Sequence, residues 1–216
     1  MGILESEFVT GCTIIEAGRT EARELYKVMI GLIGPRPIGW ISTISQSGIH
    51  NLAPFSFFNM LSMNPCLIGF CPSLKQDPSK KDSLRNVEET KCFVHNVVTS
   101  DLIIPMHQSS ANYDFETNEF EKVGLTAALS RFVEAPRVAE AAVNIECKLM
   151  DIVSLGTKAG NTQLVVGEVL AIHINREGIL DDKSHVNAPA LALVGRLGRL
   201  NYCEQGRIFE LPPAEV

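Results

Sequence analysis

NLAPFSFFNMLSMNPC, residues 51–66, gathers Phe55, Phe57 and Phe58 beside Pro54, Ser56 and Asn59 in a chain that holds only 10 Phe, 3 Tyr and 1 Trp. Read as a strand, period two sends Ala53, Phe55 and Phe57 to one face and Pro54, Ser56 and Phe58 to the other, so both faces carry an aromatic ring. Neither face is simply wet. The mixture suits a buried strand, or a wall for a flat ligand whose rings need apolar contact and whose edges need donors. Pro54 has no amide hydrogen, so the strand leaves one ladder bond unmade there, where a ligand can approach.

The flanking segments set this stretch in a sheet. PIGWISTIS alternates, SQSGIHN supplies turn residues and NLAPFSFFNM resumes strand character, which predicts a hairpin over 37–60, followed by a third strand in PCLIGFCPS. Upstream, TEARELYKVMIGLI reads as a helix from Thr20 that GPRP must stop. Downstream, DPSKKDSLRNVEETK is the clearest helix, with Ser79 as N-cap, Asp82 completing a capping box, and Leu84 and Val87 facing inward. KCFVHNVVT reads as a strand, TSDLIIPMHQSS as a short helix interrupted near Pro105, and ANYDFETNEFEKVGL as a polar loop. Its aromatics Tyr113, Phe115 and Phe120 either pin that loop or form a movable wall. VNIECKLMDIVSL and TQLVVGEVLAIHIN are long β runs separated by the turn TKAGN. Many strands separated by turns, with few helices, predict a closed antiparallel barrel rather than a doubly wound sheet.

Composition narrows the function classes. A chain of 216 residues, 45% of them hydrophobic, has no linker-like run or internal repeat, so a single domain over 1–216 is expected. A net charge of −6 and a pI near 5.4 argue against nucleic-acid binding by bulk electrostatics. VMIGLIG, the longest purely apolar and glycine stretch, is far shorter than the roughly 18 residues of a spanning helix, so no membrane role is expected. The acidic start MGILESEFVT is unlike a secretory signal, and a cytoplasmic location is expected. Gly2 and Ser6 meet the myristoylation pattern superficially, without polybasic support. Six cysteines without CxxC pairs read as reduced thiols.

Groups that commonly do chemistry are scattered. His50 falls in a turn, His95 and His173 in apolar strands, and His107 and His185 in polar surroundings without paired ligand spacing, so no metal site and no catalytic side chain is assigned. Glu146 and Glu168, in β runs, are expected to pair with lysine or arginine. No nucleophile elbow, P-loop or GxGxxG occurs.

The order PRPIGWIST, NLAPFSFFN, KKDSLRN, FVHNVV, GLT, NIECKL, VVGEVLAIHI, GRLGRLNY, running from about Tyr26 to Tyr202, resembles the flavin reductase-like family of FMN-binding split barrels. The resemblance implies a six-stranded antiparallel Greek-key split β-barrel, mainly β with helices, a homodimer, and FMN near the subunit interface. It implies that Ala53, Pro54, Phe55, Ser56, Phe57 and Asn59 run beside the flavin, with Trp40, Ser42 and Thr43 on the neighbouring strand, the last two near the ribityl phosphate. Lys81 and Ser83 match the family's Lys-Asp-Thr triplet with serine for threonine, so Lys80, Lys81, Asp82 and Ser83 are phosphate-site candidates. Arg36 and Arg196 are further candidates. The family often has glycine where this chain has Arg199.

The activity that the resemblance implies is that of an NAD(P)H-dependent FMN oxidoreductase, with NADH or NADPH as co-substrate. It would pass electrons to free flavin, oxygen or another acceptor, with a monooxygenase as a diffusible partner. The absence of catalytic side chains suits this, since the cofactor carries the hydride. The alternatives are an FMN carrier or sensor without turnover, and an unliganded barrel that binds protein or nucleic acid.

Overall fold

A computed structural model of the protein describes residues 6–9, 11–73, 80–156 and 162–214. The chain divides into two compact units, one formed by Met1–Arg36 with Gly195–Cys203 and the other by Pro37–Val194 with Glu204–Val216.

In the first unit, β1 (Ser6–Val9) and β2 (Cys12–Ile15) form an antiparallel hairpin, with Gly11 at φ 83° in the turn. Helix α1 (Ala22–Leu32) follows and stops before Gly34 and Pro35, as the GPRP signal requires. Arg36 staples its end: one guanidinium nitrogen donates to the carbonyls of Ile30 and Ile33, the other to Leu197 O at 3.0 Å. Backbone bonds pair Arg36 with Arg196 in both directions, at 2.9 and 2.8 Å. Arg196 stacks over the Tyr202 ring at 4.3 Å and donates to Arg199 O at 2.6 Å. Arg199 has φ 59°, a left-handed turn conformation that glycine adopts without strain.

The second unit is built on strands β3 (Gly39–Ile44), β4 (His50–Phe55), β5 (Phe58–Met63), β6 (Cys66–Phe70) and β7 (Cys92–Asn96). Two-residue β8 (Ala127–Ala128) and β9 (Arg137–Val138) pair with each other, and the long strands β10 (Val143–Ser154) and β11 (Gln163–Ile174) complete the set. The main sheet is antiparallel and seven-stranded, in the order β4-β3-β7-β10-β11-β6-β5. Its two edge strands are consecutive in the chain and joined only by Ser56 and Phe57, so the sheet curls until its edges meet at that end. No ladder hydrogen bonds β4 to β5. This is a split barrel with seven strands in its sheet rather than six, and it is not the closed barrel that the turn pattern predicts.

The stretch at 51–66 is where the expected hairpin over 37–60 needs correction. Gly39–Phe55 forms the hairpin, but Phe58 onward belongs to the opposite edge. Phe58 projects into the interior, its ring 4.4 Å from that of His95. Gly39 makes room for it: a Cβ there would lie 2.5 Å from the Phe58 ring. Helix α2 (Asp82–Thr90) plugs the barrel with Leu84 and Val87, which join Ile41, Phe55, Ile68, Phe70, Phe93, Cys147 and Val165 in one buried cluster.

Helix α2 begins with Lys81 as its N-cap and no side-chain cap, whereas Ser79, the expected cap, lies outside the described residues. Pro105 does not interrupt the short helix α3 (Ile103–Gln108), because it sits in the first turn, where a missing N–H costs nothing. The polar loop contains a helical turn, α4 (Glu119–Lys122), with Asn118 capping Phe120 N. The TKAGN turn between β10 and β11 lies outside the described residues. Among the described residues no helix is long and apolar enough to cross a membrane.

A buried asparagine pair ties the sheet to β9. Asn96 donates to Trp40 O (3.2 Å) and Ser42 Oγ (3.0 Å), and accepts from Val138 N (2.9 Å) and Asn144 Nδ2 (2.8 Å). Asn144 also donates to Val138 O (3.0 Å) and accepts from Arg137 and Asn175.

Candidate functional site

A cavity of about 510 Å³ opens in the second unit between Asn51–Phe55 of β4, the start of α2 at Lys81–Ser83, the segment Ser109–Tyr113, and Glu119. Its size lies within the usual range for small-molecule sites. Edge strand β4 supplies the wall, and Pro54 sits where proline is tolerated, on a strand paired on one side only. The first intrahelical bond of α2 runs from Arg85 N to Lys81 O at 3.0 Å. The amides preceding Arg85 therefore lack intrahelical acceptors, and with the helix dipole and Lys81 they favour an anion.

Behind the wall lies a polar network. Asn51 Oδ1 accepts from Ser83 Oγ at 2.7 Å and from Thr43 Oγ1 at 3.1 Å, and Thr43 Oγ1 accepts from Asn86 Nδ2 at 3.0 Å. Glu119 accepts from Asn51 Nδ2 at 2.8 Å and from Leu52 N at 3.2 Å. Burial pushes the Glu119 carboxyl up to about 7, against hydrogen bonds donated by the backbone and Asn51 and with help from the nearby charge of Asp82.

Of the residues that the resemblance assigns to the cofactor, Ala53, Pro54, Phe55, Lys81, Asp82 and Ser83 line this one cavity. The others stand elsewhere. Trp40 is fully buried and props the far wall, donating from Nε1 to Ser109 Oγ at 2.9 Å. Ser42 is fully buried and donates to Pro136 O, so its hydroxyl serves the Asn96 network instead. Thr43 reaches the site only through Asn51. Ser56 is half-buried and Phe57 exposed in the link between the edge strands, and exposed Asn59 on β5 accepts from Met60 N at 2.9 Å. Lys80 is drawn to Glu88 at 2.6 Å. Arg36 and Arg196 belong to the other compact unit.

Asn51, Glu119 and Ser109–Asn112 are cavity residues that sequence reading missed. Asn51 opens the quoted stretch, and an asparagine in an apolar strand was the available signal; Glu119, one acid among several in a polar loop, offered none. Of the loop aromatics, Tyr113 lines the cavity, while Phe120 is a buried anchor and Phe115 packs under the Arg85 guanidinium at 4.0 Å. Glu168 pairs with Lys148 at 2.8 Å, as expected. Glu146 has neither lysine nor arginine as partner: its carboxylate accepts from Arg131 N, Phe132 N and His173. Burial opposes its ionisation, but these bonds outweigh burial and hold it below the usual carboxylate range.

This fold and cavity define a class. The chain belongs to the flavin reductase like domain family, which it matches over residues 33–190. It is similar to nitrilotriacetate monooxygenase component B of Bacillus cereus, at 29% identity and a TM-score of 0.87 over 92% of this chain and 98% of that one. It is also similar to the 2-nitrobenzoate 2-nitroreductase NbaA of Pseudomonas fluorescens, at 29% identity and a TM-score of 0.83 over 93% and 96%. A protein of Aquifex aeolicus is 42% identical over 183 residues, 85% of this chain and 91% of its own length.

Proposed function

We propose that the protein is a cytoplasmic, homodimeric flavin reductase that holds FMN in the cavity beside β4, takes a hydride from NADH or NADPH, and delivers electrons to free flavin, oxygen or another acceptor. The observation carrying this reading is the convergence of Ala53–Phe55 and Lys81–Ser83, two segments far apart in sequence, on one cavity. The donor set fits the cofactor: a cationic side chain and a helix start suit a phosphate, and the strand wall suits a flat ring. Bound flavin supplies the hydride chemistry. Lys81 and the first-turn amides of α2 hold the phosphate, Ser83 is oriented by Asn51, and Pro54 presents no amide hydrogen to the ring edge. The similarity to a monooxygenase component supports a partner that consumes reduced flavin. Exposed Leu170, Ile172 and Ile174 on β11 favour a homodimer.

The test is the visible spectrum of the FMN-loaded protein, mixed anaerobically with NADH and with NADPH, on a sample whose mass is read by light scattering. Flavin absorbance that bleaches with at least one donor, in a particle of dimer mass, is the expected result. Flavin that binds but stays oxidised with both donors would leave a carrier, and a monomer mass would remove the dimer.

Lys81→Ala is expected to weaken FMN about 10- to 150-fold, because one charged hydrogen bond contributes roughly 1.5 to 3 kcal/mol. Riboflavin affinity should hardly change. Fluorescence titration checks this, and equal losses for the two ligands would move the phosphate away from Lys81.

A further inference from the structure

Glu119 is 5% exposed, yet lines the same cavity as Lys81, Asp82 and Ser83. Two hydrogen bonds, Glu119 to Asn51 and Asn51 to Ser83, connect its carboxyl to the second residue of α2. An anion arriving at the start of α2 therefore meets two carboxyl groups, those of Asp82 and Glu119, and one ammonium, that of Lys81. Like charges confined in a partly buried site cannot all persist. The exposed route to relief is a proton on the carboxyl that burial already disfavours as an anion.

We propose that binding of a phosphate ester at the start of α2 is coupled to uptake of a proton from solvent by Glu119, an inference that rests on the flavin reading of this cavity. The Glu119 carboxyl, pushed up to about 7 chiefly by burial, is largely ionised near pH 8 and takes the proton when a dianion is added beside it. The surrounding groups leave Glu119 in that role. The other titratable groups that line the cavity are Lys81, Asp82 and Tyr113. On β4, burial lowers the pKa of His50, against the opposing charge of Glu121. Glu121 and Lys122 on α4 carry opposite charges.

Linkage fixes the sign. Uptake of up to one proton makes affinity fall as pH rises through the carboxyl's range, by at most about tenfold per pH unit. The phosphate itself is already dianionic near pH 8, its second pKa being about 6, so it does not contribute the proton.

The experiment is calorimetric titration of the wild-type protein with FMN and with riboflavin, in buffers of different ionisation enthalpy, at about pH 8 and about pH 5.5. FMN should take up a substantial fraction of a proton at the higher pH and none at the lower, where the phosphate's own proton (second pKa about 6) makes any exchange a release, and riboflavin almost none at either. Glu119→Gln should abolish the uptake and flatten the dependence of FMN affinity on pH. FMN bound tightly by the wild-type protein without uptake near pH 8, or with equal uptake by the glutamine variant, overturns the assignment to Glu119 alone. FMN that does not bind at all overturns the flavin reading and this inference with it. The wild-type comparison at two pH values decides the matter even where the variant fails to fold.

Discussion

Replacing Asn96 with alanine is expected to cost about 4 kcal/mol and to lower the melting temperature by about 8 to 16 °C, on the usual cost of orphaned buried polar groups and the usual scaling for a chain of this size. Asn96 is fully buried and makes four hydrogen bonds, to Trp40 O, Ser42 Oγ, Val138 N and Asn144 Nδ2. Alanine takes a bond from all four groups: Val138 N loses its acceptor, while Ser42 Oγ and Asn144 Nδ2 keep only their bonds to Pro136 O and Val138 O. Each partner left unsatisfied costs about 1 to 3 kcal/mol, and partial relaxation keeps the total below the simple sum. Asn59→Ala is the control, because Asn59 is exposed and bonds only to its own neighbour Met60. It should shift stability by less than about 0.5 kcal/mol. Urea or thermal unfolding of both variants checks the pair, and an Asn96→Ala protein melting within about 2 °C of the wild type would show that water or rearrangement replaces those bonds.

The second large effect concerns His95, which is buried in the barrel against Phe58 with Nδ1 unpartnered. Burial pushes its pKa down to about 3, from an ordinary value of 6.5. The unfolded chain therefore binds the proton first as pH falls. Stability contributed by the neutral ring is fully present above about 6.5 and is lost toward pH 3, at about 1.4 kcal/mol per pH unit, or about 3 kcal/mol by pH 4. His95→Leu should remove that loss, and at pH 7 it should be near neutral because it also deletes an unsatisfied buried nitrogen. Glu119 titrates in the opposite sense: its folded pKa is raised, so its proton stabilises the fold as pH falls below about 7. The difference between variant and wild type, measured by urea unfolding at pH 7 and at pH 4, cancels Glu119 and isolates His95. A gap that does not widen in favour of the variant by pH 4 would mean that the imidazole is protonated in the folded state.

Local chemistry in the sequence determined a good part of this protein. Alternation and turn residues marked the strands, the polar and apolar spacing of 82–90 marked α2 with Leu84 and Val87 inward, and the prolines of GPRP ended α1. Pro54 also declared itself, because a missing donor is a property of a single residue, whereas Lys81 was set apart from Lys80 only by the family resemblance. Tertiary structure decided what a period of two cannot express. Nothing in residues 51–66 states that the chain crosses from one edge of the sheet to the other at Ser56 and Phe57, since that depends on the curl of seven strands. The fates of similar polar residues were likewise set by distant partners: Ser42 turned to Pro136 and Asn96 while Thr43 turned to Asn51, and Lys80 was taken by Glu88 while Lys81 lined the cavity. Glu119 became notable only when folding brought it to Asn51 and withdrew it from water, because a carboxyl's proton affinity is a property of its surroundings rather than of its place in the chain.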